Sequence, residues 1–268
     1  MREKIRETDR GPIHYWVNDF RPGRRTLALL PGLTADHRLF DRQTAELAED
    51  CNILTWDAPG HGASRPFRLD FTLGDKADWL HAILQAEAAE RPVLIGQSMG
   101  GYVAQRFMQR FPGEAAGFVS IDSAPLERSY MTAAEIWLLY RTEPMYRAFP
   151  WRMLERLGVR GCAETEYGRS VMRDIFASYA KDEYCRLAGH GYLLLAQALD
   201  QGPDGVIDCP AILICGENDR AGSTKSYNRR WTRQTGLPLY WIKGAGHNSN
   251  TDRPDEVNRI IRGFVQNL

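Results

Sequence analysis

Ser98 lies in Gly96-Gln97-Ser98-Met99-Gly100-Gly101, where the apolar run Val93-Leu94-Ile95 meets a helical pattern that continues through Met108. A serine at such a strand-to-helix junction, with glycine two residues to either side, is held on a sharp turn with its hydroxyl projecting. The first amides of the following helix are unpaired, so the Met99 N–H can face an oxyanion forming on a carbonyl that Ser98 attacks. Taken alone, the G-x-S-x-G spacing also describes an ordinary turn serine. Its strand-before, helix-after setting points to a nucleophile.

A serine hydroxyl at neutral pH needs a base within hydrogen-bond reach, and the sequence has six histidines. His14 falls in a hairpin, His81 in a helix and His190 in a long helical region, and these read as structural or surface residues. His190 is also carried as a candidate to face a pocket. His247 directly follows a strand and Gly244-Ala245-Gly246, which presents a side chain at the carboxyl end of a parallel sheet, so it is the expected base. The imidazole in turn needs a carboxylate to hold its tautomer. Ile212-Leu213-Ile214-Cys215-Gly216-Glu217-Asn218-Asp219 ends a strand with two candidates, Glu217 and Asp219.

Short apolar runs alternating with helical stretches position these groups, which is the pattern of a mainly parallel sheet covered on both faces. A hairpin is expected over 3–8 and 12–17, then buried strands over 26–32, 51–57, 91–97, 116–122, 210–216 and 238–244. Crossover helices are expected over 36–50, 72–90, 99–111, 223–234 and 255–268. The rhythm breaks over residues 125–206, which are helical without strands. This reads as a helical cap inserted after the sixth strand into an α/β core formed by 1–124 and 207–268. The region holds eleven of the 28 aromatic residues, together with Met131, Met145, Met153 and Met172. Most of the aromatics are needed to pack the cap and a minority would line a pocket for an apolar group.

At 268 residues, with 43% hydrophobic and 25% charged side chains, the chain is globular by composition. Thirty-four basic residues balance 34 acidic ones, and no basic stripe speaks for nucleic acid. The charged start of the chain and the lack of a long apolar run lead to the expectation of a cytoplasmic protein without a membrane segment. Five widely spaced cysteines fit reduced thiols rather than a disulfide framework or zinc site. A homodimer is compatible with the zero net charge, although no residue pattern argues for one.

Four ordered segments resemble the α/β-hydrolase superfamily over nearly the whole chain. They are LLPGLTADHRLF (29–40), DAPGHGAS (57–64), GQSMGG (96–101) and GAGH (244–247). The resemblance implies the α/β-hydrolase fold and a chain order of Ser98, acid, His247. It favours Asp219 as the acid, with Asp122 the rival because some members place the acid after the preceding strand. It assigns His61 to shaping its glycine-rich loop. It also implies Leu33 as the second oxyanion donor, although Pro31 stands where the family usually has His. Thr34 and His37 are close enough in sequence to touch a substrate, and Thr34 or Asp36 could equally cap the next helix. Gln97, Tyr130 and Trp137 complete the candidate substrate-binding residues.

A Ser-His-Asp site with two amide donors suits hydrolysis of a carboxylic ester, thioester or lactone of a small, largely apolar molecule, with no metal or organic cofactor. Carbon–carbon bond hydrolases and cofactor-free perhydrolases share such a triad and remain alternatives, as does a receptor-like member of the fold. Ser98 departs from the aspartate of haloalkane dehalogenases and epoxide hydrolases, Met99 from the tryptophan usual in proline iminopeptidases, and Asn248 from the lysine of plant-type hydroxynitrile lyases.

Overall fold

The computed structural model describes residues 1–201 and 207–268. Eight strands form one sheet in the order β1-β2-β4-β3-β5-β6-β7-β8. β1 (Arg2–Thr8) and β2 (Gly11–Val17) make the hairpin, and β2 pairs antiparallel with β4 (Asn52–Trp56). β3 (Thr26–Leu30), β5 (Val93–Gln97), β6 (Gly117–Ile121), β7 (Ala211–Gly216) and β8 (Leu239–Ile242) complete the parallel part. Each of these strands is shorter than its apolar run. Pro31, Pro92, Pro210 and Pro238 fall just outside the ladders, to which proline has no N–H to donate.

Successive strand residues point to opposite faces, so the continuous apolar runs build two cores. On one face Ala28, Leu54, Leu94, Phe118 and Leu213 pack with the helices α2 (Leu73–Ala86) and α3 (Met99–Arg110). On the other, Leu29, Ile53, Ile95, Val119 and Ile212 meet residues of α1 (Asp41–Leu47) and the last helix (Pro254–Gln266). α2 opens on a reciprocal capping box of Thr72 and Asp75. The helix expected over 36–50 instead begins as a 3-10 turn, His37–Phe40, capped by Asp36, whose carboxylate accepts from the Arg38 amide.

After β6 come α4 (Ala133–Leu139), α5 (Thr142–Ala148), α6 (Trp151–Cys162), α7 (Glu166–Ala177) and α8 (Lys181–Gln201) with no strand between them. Residues 202–206, where the cap was expected to end, lie outside the described residues. α9 (Thr224–Thr235) links β7 to β8, and α10 (Ser249–Asp252) precedes α11 (Pro254–Gln266), the last helix. No helix among the described residues is long and apolar enough to cross a membrane.

Candidate active site

The carboxyl ends of β5, β7 and β8 bring three side chains into one line. Ser98 follows β5 directly with φ 50° and ψ −117°, a strained conformation for a residue with a side chain. Close packing leaves no relaxed alternative. A Cβ on Gly100 would lie 1.9 Å from the Leu30 carbonyl oxygen, so α3 can start against β3 only with glycine there. The Ser98 carbonyl accepts from Ser123 Oγ at 2.7 Å, which ties the turn to the end of β6.

His247 lies on the turn after β8, with Nε2 2.9 Å from Ser98 Oγ and Nδ1 3.0 Å from Asp219 Oδ2. Asp219 follows β7 and is held by the Ala221 amide, which donates to Oδ1 at 2.8 Å. The histidine turn is fastened from both sides. Gln97 Nε2 donates to the His247 carbonyl at 2.9 Å and to Asn248 Oδ1 at 3.1 Å, and the Asn248 amide donates to the Cys162 carbonyl at 2.7 Å. Asp252 accepts from the amides of Gly246, Glu164 and Thr165, linking the same turn to the loop between α6 and α7. Gln97 therefore positions the histidine from behind.

Asp122, the rival acid, does not reach His247. Its oxygens accept from the Gly216 amide at 2.7 Å and from the Ser249 amide and hydroxyl at 2.8 and 2.6 Å. Burial first, and the Asp219 charge second, push its pKa up to about 7. Glu217, the other candidate, is exposed. For His247, burial by itself lowers the pKa, but the charge and hydrogen bond of Asp219 and the charge of Asp122 outweigh it, so the net shift is upward. The imidazolium is thus favoured where a reaction would form it.

Leu33 and Met99 border the space in front of Ser98, and among the described residues neither backbone N–H has a hydrogen-bond partner. Gly32 lets this loop approach, since a Cβ there would lie 2.3 Å from Gln97 Oε1 and 3.2 Å from Ser98 Cβ. Both amides are free to meet an oxyanion on a carbonyl bound at Ser98.

Two lobes of one cavity meet at Ser98, His247 and Leu33. The larger, about 560 Å³, is walled by Met99, Tyr102, Leu138, Leu139, Leu195 and residues of α6 and α9. The smaller, about 150 Å³, is walled by Thr34, Gln97, Met172, Phe176, Ala188 and Asn248. Of the candidate substrate contacts, Thr34 and Gln97 border the cavity and the other four do not. His37 is held by Asp57 at 2.8 Å and stacks on Trp16 at 3.6 Å. Tyr130 is buried outside the cavity wall, under the Arg230 guanidinium. Trp137 is 56% exposed and does not border the lobe, whereas the next residue of α4, Leu138, does while remaining exposed. His190 meets the edge of Phe71 on the α2 side of α8, and burial lowers its pKa to about 4.

Of the eleven aromatics over 125–206, Tyr146, Phe149, Phe176, Tyr184 and Tyr192 line the lobes, as do Met131 and Met172 among the four methionines. Residue types alone did not mark Gly158, Cys162, Ala221 or Arg220, which also border the cavity. Two groups with metal-ligating side chains, Asp36-His37-Asp57 and Asp122-Cys215-Asp219, have their ligand atoms within 4.8 Å of one another. Every carboxylate in them already accepts from donors of the chain, which leaves no donor set aimed at an ion.

The model of a family described as "Alpha/beta hydrolase family" matches residues 27–260. The chain is 24% identical over 262 residues to an uncharacterized hydrolase, YugF, of Bacillus subtilis, covering 94% of each. It is 25% identical over 246 residues to 3-oxoadipate enol-lactonase 1 of Acinetobacter baylyi, covering 88% of this chain and 86% of that protein. The structure of a thermophilic esterase from Thermogutta terrifontis matches it with a TM-score of 0.77 at 19% identity, covering 100% of this chain and 99% of that one.

Proposed function

Because the chain belongs to the alpha/beta hydrolase family and is an enzyme of hydrolase type, we propose that it cleaves a carboxylic ester, thioester or lactone of a small, largely apolar molecule through an acyl-enzyme. The observation that carries this reading is the relay from Ser98 Oγ to His247 Nε2 and from His247 Nδ1 to Asp219, opening on the cavity. Ser98 Oγ bonds to the carbonyl carbon as its proton passes to His247 Nε2. The Leu33 and Met99 amides stabilise the oxyanion. Collapse of that intermediate expels the alkoxide or thiolate, which takes the proton from Nε2. Water then attacks the acyl-enzyme with His247 as base, and the acid leaves as Ser98 recovers its proton.

The lining supports an apolar substrate part, since Met99, Leu138, Leu139, Leu154, Leu157 and Leu195 all face the larger lobe. An esterase and an enol-lactonase among the similar proteins support the class of bond. In this reading α4–α8 are the cap, which roofs the sheet and shapes both lobes.

Labelling with a fluorophosphonate, read by intact mass on wild type and Ser98→Ala, tests the assignment alongside p-nitrophenyl esters of increasing chain length. Stoichiometric labelling of the wild type alone, with turnover of some ester, is the expected result. Ester hydrolysis retained by Ser98→Ala removes Ser98 from the chemistry.

A further inference from the structure

Arg220 directly follows Asp219, lines the mouth of the larger lobe and is exposed there. It is the only lysine or arginine among the described residues that border either lobe. Among the described residues no hydrogen bond or ion pair engages it. The opposite sign on the same wall is already committed. Glu135 accepts from Ser223 Oγ and Tyr227 OH on one oxygen, at 2.8 and 2.5 Å, and from the Thr132 amide and hydroxyl on the other, both at 2.8 Å. Asp122 is likewise fully engaged by Gly216 and Ser249. The wall is therefore mostly apolar, with its carboxylates turned to donors of the chain and one guanidinium whose five N–H donors meet no acceptor among the described residues.

A planar guanidinium recognises a carboxylate through two parallel hydrogen bonds, a geometry no other cavity-lining side chain here offers. We infer that Arg220 binds a carboxylate carried by the part of the substrate that occupies the larger lobe, so that the preferred substrate is an anionic ester, thioester or lactone with an apolar chain between its two ends. The inference rests on the hydrolase reading above and narrows it. Arg220 acts on specificity and takes no part in bond making. Its expected effect is discounted for its exposure, since charge-assisted bonds at a wet cavity mouth are weaker than buried ones.

Two p-nitrophenyl esters of matched length separate the terms: the pentanoate, which is neutral, and the hydrogen glutarate, which carries a terminal carboxylate. Wild type should favour the glutarate ester in kcat/KM by about tenfold, and Arg220→Gln should bring the ratio of the two near unity. Calorimetric titration of Ser98→Ala with methyl hydrogen glutarate, a monoanion, and with neutral methyl pentanoate gives a readout that needs no turnover, and the same ratio should appear there and vanish when Arg220→Gln is added. Equal ratios in the two proteins, or no preference for the carboxylate in wild type, overturn the inference. Failure of Ser98 to label or of the neutral ester to turn over speaks to the hydrolase reading instead, while the titration still decides the role of Arg220.

Discussion

Asp122 and Asp219 are two buried carboxylates in one site, with ligand oxygens within 4.8 Å of each other, and only Asp219 touches His247. Their positions follow from adjacent strands, β6 and β7, ending at the same level. Burial, and after it the like charge alongside, pushes the Asp122 carboxyl upward, and Asp219 is the carboxylate that meets the imidazole.

Replacing the two should therefore fail in different ways. Asp219→Asn is expected to lower kcat by roughly 10⁴-fold with little loss of fold. Asp122→Ala leaves the Gly216 amide and both Ser249 donors unpaired in a buried site, and should cost on the order of 2–5 kcal/mol of stability. Kinetics on a single ester and urea melts of both variants check this, and the reverse pattern would assign the acid to Asp122.

On the proposed mechanism the raised pKa of His247 sets the acid limb of activity. With the neutral imidazole as base, activity should be lost as pH falls through a pKa that lies above the ordinary 6.5. In kcat/KM measured from pH 5 to 9 the midpoint should stand above 6.5, and Asp219→Asn should move it down by removing the partner charge. A wild-type midpoint below 6.5 contradicts the geometry.

The backbone at Ser98 stores strain that glycine would release. Ser98→Gly should be more stable than Ser98→Ala by about 1 kcal/mol, because φ 50° with ψ −117° is costly for any side chain. Both variants should lose turnover by roughly 10⁴-fold to 10⁶-fold. Paired thermal melts settle the sign, and equal stabilities would mean that the turn relaxes.

Lys76 and His190, neither of which lines the cavity, make stability depend on pH. Lys76, 2% exposed on α2 with its ammonium beside the Phe71 ring, has its pKa lowered by burial to about 8. His190 is lowered to about 4 by burial first and by the Lys76 charge second. Both folded-state values lie below the unfolded ones, so the unfolded chain binds more protons in each window. Stability should fall as pH drops from 6.5 to 4 through His190, and rise from pH 8 to 10.5 through Lys76. Lys76→Met should add on the order of 2–3 kcal/mol at pH 7 and flatten the alkaline rise, as read from urea melts across that range. An unchanged alkaline slope in Lys76→Met refutes the account.

The sheet and the line of Ser98, His247 and Asp219 were legible in the sequence because each rests on local signals. Buried strands appear as unbroken apolar runs, and the turns that end them need glycine or a short polar residue. The cavity wall was not legible in the same way. It depends on the phase of five helices, and one residue along α4 separates Leu138, which borders the lobe, from Trp137, which does not, although both are exposed. His37 looked available by type and position, but Asp57 and Trp16 lie far enough away in sequence to leave no local trace of their claim on it. Arg220 carries no motif at all, and what sets it apart is that it borders the cavity without a partner among the described residues.

β6 and β7 are hydrogen-bonded neighbours, yet the chain leaves one at Ile121 and enters the other at Ala211. Everything that roofs the cavity from α4 to α8 therefore departs and returns at nearly the same place on the sheet. Such an arrangement makes the roof transplantable. A stretch from another member of the fold can be spliced between the same two strand ends without altering the order of the sheet, so long as it again supplies the bonds that Cys162, Glu164 and Thr165 make to the histidine turn. Substrate preference in this molecule can thus drift, or be engineered, by exchange of one contiguous piece of chain.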